Sequence, residues 1–278
     1  PSKKLQAAAL AERAGVQQAT YDDSVFLGRL FPPEDLSVIR DELEESLNTL
    51  IDNYRNGDLP RAEQAAQTVF DLRRILDAEP ADQIEAGTLL AQIQAERRRY
   101  ENAAATLERV VEIRREQGES EPLARALWRW GANLADSKQF DRAIEVFSEA
   151  RNLFAELGLE TEALEMREQI GIAHENSGAY RQALDVYRAA SGAWVERGNE
   201  QAAGENMKRV GRVYLHRLID YPNAESAFRQ AKEHFENVGA PRDVLESTLD
   251  LARVDQRFGR FEQAVEKARS VETEASQA

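Results

Sequence analysis

Cysteine is missing from the 278 residues, which excludes disulfide scaffolds, thiolate metal sites and cysteine nucleophiles together. Histidine is scarce, with 3 copies, too few for an ordinary zinc centre or proton relay built from converging imidazoles. No run approaches the roughly 18 apolar residues of a membrane span. Pro1-Ser2-Lys3-Lys4 leads into no apolar stretch of about seven to fifteen residues, so a secretory leader is not expected either. These absences predict a cytoplasmic chain without membrane insertion, and Pro1 in place of Met fits a piece of a longer protein. Positive charge is also short: 36 Lys and Arg against 50 Asp and Glu leave a net charge of −14. That balance excludes a generic binder of nucleic acid or anionic membrane, where phosphates need net positive potential. Of the cations 30 are Arg and 6 are Lys, and Arg suits bidentate contacts.

The motifs of common enzymes are absent as well. There is no Walker A or GxGxxG loop, no HExxH, no GxSxG and no EF-hand loop. Paired acids such as Asp22-Asp23 and Glu44-Glu45 are too ordinary in so acidic a chain to signal acid/base catalysis. His174-Glu175 falls on a helix, where a lone His is usually packed. The sequence therefore predicts no catalytic residue, no metal and no cofactor.

A forty-residue periodicity is present. Gly131, Gly171 and Gly211 stand forty apart. Further on come Ala143, Ala183 and Ala224, each preceded by an aromatic three residues earlier, at Phe140, Tyr180 and Tyr221. Tyr100/Ala103 and Phe261/Ala264 extend this column, with Leu59/Ala62 as a fainter copy. Four residues after the Ala comes Leu107, Phe147, Tyr187 or Phe228, and three beyond that Ala150, Ala190 or Ala231. Gly118, Gly158, Gly198 and Gly239 close the units, as suits the left-handed position after a helix. Apolar spacing inside a unit is helical in two blocks, as in Ala124-Leu127-Trp130-Leu134 and Ile144-Phe147-Ala150-Phe154. The short polar link Asp136–Phe140 makes the two helices antiparallel neighbours. Pro60, Pro122, Pro222 and Pro241 fall near helix starts, where a missing N–H costs little. The glycine and alanine columns predict close backbone approach with an aromatic beside it. Sustained period-two alternation is absent, so the class expected is all-α.

These columns resemble the tetratricopeptide repeat family in a variant with a period of about forty. The third copy carries Tyr214, Tyr221, Ala224, Phe228 and Ala231 after a one-residue insertion in its turn. The last copy departs from the pattern at Ala268, which takes the aromatic slot. Leu127, Arg167 and Met207 replace the family's early Trp, and its closing Pro is not kept. Six antiparallel hairpins are counted from about Leu43 to Val271, with residues 1–42 as an N-terminal capping or linker segment and 43–278 as the array. The resemblance implies an α-solenoid, a right-handed superhelix whose first helices line a concave groove.

Transferring the family's groove positions gives Glu44, Leu47, Ile51 and Tyr54, then Glu85, Thr88, Gln92 and Glu96. Next come Arg125, Trp128, Arg129 and Ala132, followed by Glu165, Glu168, Ile172 and Glu175. The last copies give Lys208, Arg209, Arg212 and His216, then Arg253 and Arg257. The C-terminal half is thus basic, and pairs four apart share a helix face. Two readings stand: the cations neutralise neighbouring carboxylates, or they form a stripe for an acidic protein segment. Trp128 is either a partner anchor or a packed residue, whereas Trp130 reads as core. The family's two-carboxylate clamp for acidic C-terminal tails is not matched, since its slots read Trp128, Ala132, Glu165 and Gln169, then Lys208, Arg212, Glu246 and Asp250.

Upstream, Leu5–Thr20 reads as an Ala-rich helix breaking at Gly15. Ala11, Gly15 and Val16 are similar to the turn of a helix-turn-helix reader, but the following Gln17–Asp23 carries two acids and no base, against DNA binding. Phe26–Phe31 reads as a cap on the first hairpin. The function expected is a non-catalytic scaffold binding a protein or peptide in its groove, as part of a larger protein. The alternative is a ligand-responsive regulatory domain controlling an effector; the resemblance implies that similar arrays in bacteria accompany protease, kinase, ATPase and regulator domains. Self-assembly through uncapped end repeats is a third possibility.

Overall fold

The computed structural model describes residues 33–76, 78–118 and 120–276. The helix, the helix-turn-helix-like turn and the cap expected within residues 1–32 lie outside the described residues. Among the described residues twelve α-helices follow one another: α1 Pro33–Arg55, α2 Leu59–Ile75, α3 Pro80–Glu96, α4 Tyr100–Gln117, α5 Ser120–Asp136, α6 Phe140–Glu156, α7 Glu160–Asn176, α8 Tyr180–Glu196, α9 Glu200–Val213, α10 Tyr221–Asn237, α11 Pro241–Phe258 and α12 Phe261–Ala275. No strand occurs among the described residues. Residue 43, where the repeat register begins, lies inside α1. No helix of the described residues is long and apolar enough to cross a membrane.

The chain divides into two compact units after Ser137. In the first, each helix from α1 to α4 packs on the next within the unit; in the second, each from α6 to α11 does the same. Links of a few residues force consecutive helices antiparallel. Proline occupies the first turn of α2, α3, α10 and α11, where it removes no helical hydrogen bond. Side chains of Asp58, Asn199 and Asp220 cap α2, α9 and α10 by accepting from backbone N–H groups two to three residues inside each helix, as helix starts require.

The glycines closing the units at 118, 158, 198 and 239 all have φ between 67° and 72°, as expected. A second left-handed position recurs in the turn inside each hairpin. It is held by Gly57, Gly178 and Gly259, but also by Arg98, Lys138 and Ile219. Ile219 follows the inserted residue of the third copy, which the backbone absorbs as a π-helical turn over Tyr214–Leu218. Such turns are the usual way a helix accommodates one extra residue.

The interior of each unit repeats one packing motif with different fillers. A Cβ on Gly171 would stand 2.6 Å from Tyr187 Cε1, and one on Gly211 would stand 2.6 Å from Phe228 Cε1. The glycine column therefore refines the sequence expectation: the ring lies on the glycine, in the space a side chain would occupy, rather than beside two close backbones. Tyr187 and Phe228 are fully buried as a result, each worth roughly 2–3 kcal/mol of removed apolar surface. Where the column holds Ala91, the register puts Leu107 in the slot of the ring, and both are buried.

Candidate partner-binding surface

The first helix of each hairpin presents the positions expected to face a groove. In the first unit these helices are α1, α3 and α5. Tyr54 Oη donates to Glu96 Oε1 at 3.1 Å and accepts from Gln92 Nε2 at 3.3 Å. That places three predicted groove residues in one bridge between α1 and α3, and the hydrogen bond to Glu96 holds the Tyr54 hydroxyl above its usual pKa. A cleft between α3, α4 and α5 has Leu107, Val110 and Ala126 at its base and Arg114, Arg125 and Arg129 around it. Arg125 is paired to Glu121 at 2.8 Å, a helical i,i+4 pair of small worth. Trp128 is 38% exposed and is not part of the cleft lining, whereas Trp130 is buried.

In the second unit α7, α9 and α11 play the same part, and direct side-chain bonds join them. Asn206 Nδ2 donates to Glu168 Oε1 at 2.7 Å, Gln201 Nε2 to Asp243 Oδ2 at 3.0 Å, and Lys208 Nζ to Glu246 Oε2 at 2.9 Å. The indole Nε1 of Trp194 shares Glu168 at 2.7 Å. Charge alternates along these faces. Burial, then the charges of Glu162 and Glu168, push the Glu165 carboxyl up. The hydrogen bond from Lys208 holds the Glu246 carboxyl down. Tyr187 donates to Glu175 at 3.1 Å under the Arg209 guanidinium, 5.8 Å from the ring centre, and burial pushes its hydroxyl pKa up.

The predicted basic stripe divides accordingly. Lys208 is only 2% exposed and lies 5.6 Å above the Phe235 ring as well as against Glu246, so its charge is spent inside the fold. Arg209 is half-buried over Tyr187. Arg253 reaches Asp250 Oδ1 at 2.6 Å while its own side chain stays largely exposed. Arg212, His216 and Arg257 are exposed and form no hydrogen bond or ion pair among the described residues. The neutralising reading thus holds for Lys208 and in part for Arg253, while Arg212, His216 and Arg257 are left over.

The sequence reading missed the apolar side chains at the turns of the last two hairpins, Leu218, Ile219 and Phe258, all exposed, and Phe261, which it placed in the aromatic column, is exposed as well. The signal was present in the repeat alignment: the equivalent turn of the α7–α8 hairpin reads Ser177-Gly178-Ala179, small or polar. No group of three or more His, Asp or Glu among the described residues is arranged to hold a metal ion.

Comparison with known proteins establishes the architecture. The apo form of RapI superposes with a TM-score of 0.66 at 14% identity, covering 99% of this chain and 76% of that one. A STAND protein with a tetratricopeptide repeat sensor from Pyrococcus horikoshii gives 0.62 at 14% identity, and the match covers 96% of this chain but 41% of that longer one. The apo form of the quorum sensor NprR from B. thuringiensis gives 0.54 at 13% identity, over 93% and 76% of the two chains. Residues 180–277 match the family described as soluble NSF attachment protein, SNAP, a stretch that runs from α8 to α12. Among curated proteins none matches the sequence. The fold is a tetratricopeptide-like α-solenoid.

Proposed function

We propose that the chain is a non-catalytic interaction scaffold that takes a segment of a partner protein along the exposed faces of its first helices. In the second unit the segment is acidic. One observation carries this reading: Arg212, His216 and Arg257 remain exposed without a carboxylate partner in a chain whose net charge is −14. Surplus acid is available throughout the molecule, yet the fold leaves these side chains without an acidic partner. Arg can engage a carboxylate with two parallel N–H donors, and Arg212 and His216 lie four apart on one helix face. The array of residues 43–278 supplies the surface in this proposal, and residues 1–42 cap or link it.

A second reading is supported by the company the fold keeps. Two of the similar structures are described as sensors, the STAND protein and NprR. In that version peptide binding alters the arrangement of the repeats and so controls an effector such as a protease or a transcription regulator, which requires different affinity for two states.

Affinity capture from source-cell lysate at low and high salt tests the proposal, using the natural chain beside the double variant Arg212→Glu/Arg257→Glu. Lys208 is left intact because it is buried. A protein held by the natural chain, released by salt and lost by the still-folded variant supports the groove. Equal capture by both moves binding to the arginine-rimmed cleft and Trp128 of the first unit. Small-angle scattering with and without a peptide from that protein separates the two readings: a compaction supports the sensor, an unchanged profile the static scaffold.

A further inference from the structure

The turn-side edge of the last two hairpins carries a patch that solenoid packing does not explain. Leu218 and Ile219 end the π turn between α9 and α10, and Phe258 ends α11. Ile219 is 65% exposed and Phe258 51%. Tyr221, two residues beyond Ile219, stands edge-on to Phe258 with ring centres 5.8 Å apart, which brings the two turns side by side. Phe261, equally exposed, continues the patch onto α12. A further repeat stacked on α12 would cover Val265, but Leu218 and Ile219 belong to the preceding hairpin's turn and would stay in solvent.

Ile219 also sits where a branched residue does not belong. Its φ is +54°, a left-handed conformation that is a genuine outlier for a β-branched side chain. The equivalent residues of the α1–α2, α7–α8 and α11–α12 hairpins are Gly57, Gly178 and Gly259. A glycine at 219 would relieve the strain, and the chain instead holds a large apolar group outward at a conformational cost.

The charges around the patch choose its occupant. His216 and Arg257 have no partner among the described residues, and Arg217 has only the Tyr180 ring, 6.0 Å away. Arg260 is committed, to Glu225 at 2.6 Å and Asp255 at 2.8 Å, with its guanidinium 4.8 Å over one face of the Phe258 ring. Asp220 is committed too, capping α10. Glu262 and Glu266 beside Phe261 and Val265 form the acidic limit on α12. We infer that this edge, which adjoins the groove face at His216 and Arg257, is a docking surface in its own right for an acidic partner segment that inserts large apolar side chains against Leu218, Ile219 and Phe258.

The probe is a fluorescein-labelled 15-residue peptide alternating Glu with Leu or Phe, read by anisotropy at low and high salt. Two controls replace Glu by Lys, or the apolar residues by Ser. Binding of the acidic apolar peptide alone is expected, weakened about tenfold by Leu218→Ser or by Phe258→Ser, a factor that corresponds to one good anchor residue. Ile219→Gly is expected to weaken the peptide and raise the melting temperature together, which a purely structural residue would not do. Peptide affinity unchanged in both serine variants, or lowered only by Arg212→Glu, overturns the edge and returns binding to the groove. A natural chain whose sedimenting mass rises with concentration, and falls to the monomer in Phe258→Ser, overturns it in favour of a second copy.

Discussion

The hairpins α9–α10 and α11–α12 are consecutive in the second unit and share one register, yet they are filled differently. In the first, Gly211 accepts the ring of Phe228 and Gly204 that of Phe235, with a Cβ at Gly204 only 2.7 Å from Phe235 Cε1. In the second, the same register reads Ala252 and Ala268, and Ala268 is exposed. Ionic contacts take over there: buried Asp255 is held by Lys267 at 2.5 Å and by Arg260 at 2.8 Å. The difference teaches that glycine and ring are one paired device. Where one is absent the other is not needed, and the hairpin adds ion pairs around Asp255 to its apolar contacts at Leu251 and Val254.

Removing the ring breaks the comparison most severely. Phe228→Ala is expected to cost about 3–5 kcal/mol, the range for emptying a fully buried aromatic site. Ala268→Ser in the corresponding slot is expected to stay within about 0.5 kcal/mol, as surface substitutions do. Denaturant unfolding followed by native-state hydrogen exchange in α9 to α12 checks both, and similar losses would show that the last hairpin is packed as tightly as its neighbour.

Adding a methyl group tests the pairing itself. Gly211→Ala places a Cβ into the ring of Phe228 and is expected to destabilise by about 1–3 kcal/mol, the cost of overpacking. Combining it with Phe228→Leu reproduces the pair found at Ala91 and Leu107, so the double variant should recover stability relative to the sum of the two single changes. A thermodynamic cycle showing strict additivity would mean that glycine and ring are not coupled. In the other direction, Ala252→Gly should cost only the helix preference of about 1 kcal/mol.

Turns offer a smaller contrast. Gly178→Ala is expected to lose about 1 kcal/mol, since its φ of +86° suits an L side chain poorly. Arg98→Gly, at φ +58° in the matching turn of the first unit, should be neutral or gain a few tenths of a kcal/mol, because relief of strain is offset by the freer unfolded chain. Thermal melts of the two variants should move in different directions or by clearly different amounts.

How far these regions were legible follows from what forty-residue spacing can carry. Glycine, alanine and aromatic columns report which residues meet, because packing geometry repeats with the chain, so the helices, their antiparallel order and the core at Ala143, Tyr187 and Phe228 could be read directly. The same spacing placed Lys208 on a face without revealing that Glu246 and Phe235 close over it, since burial of a cation depends on partners in other helices. The insertion before Tyr221 was visible as a register slip. Its consequence, a π turn projecting Leu218 and Ile219, was not, because a repeat alignment does not say whether an extra residue lengthens a loop or widens a helix. For Trp128 the spacing left partner anchor and packed residue both open, and its side chain is exposed.

The smallest effect is electrostatic and discriminates between two acids of the helix-A faces by sign. Glu165 on α7 has its pKa raised, first by burial and then by Glu162 and Glu168. Its ionisation therefore opposes folding at neutral pH, and that penalty fades as pH falls through its raised folded value towards the unfolded value of about 4.3. Glu246 on α11 has its pKa lowered by the hydrogen bond and charge of Lys208. Its contribution is favourable above about pH 4.3 and is lost as pH falls through the depressed folded value. Glu165→Gln should then stabilise at pH 7 and Glu246→Gln should destabilise, each within about 1 kcal/mol for carboxylates that keep contact with water. Both differences from the natural chain should shrink in acid. Stability measured between pH 7 and pH 3 for the two variants decides it. If both move in the same direction at pH 7, the crowded acids of α7 and the paired acid of α11 are not electrostatically distinct.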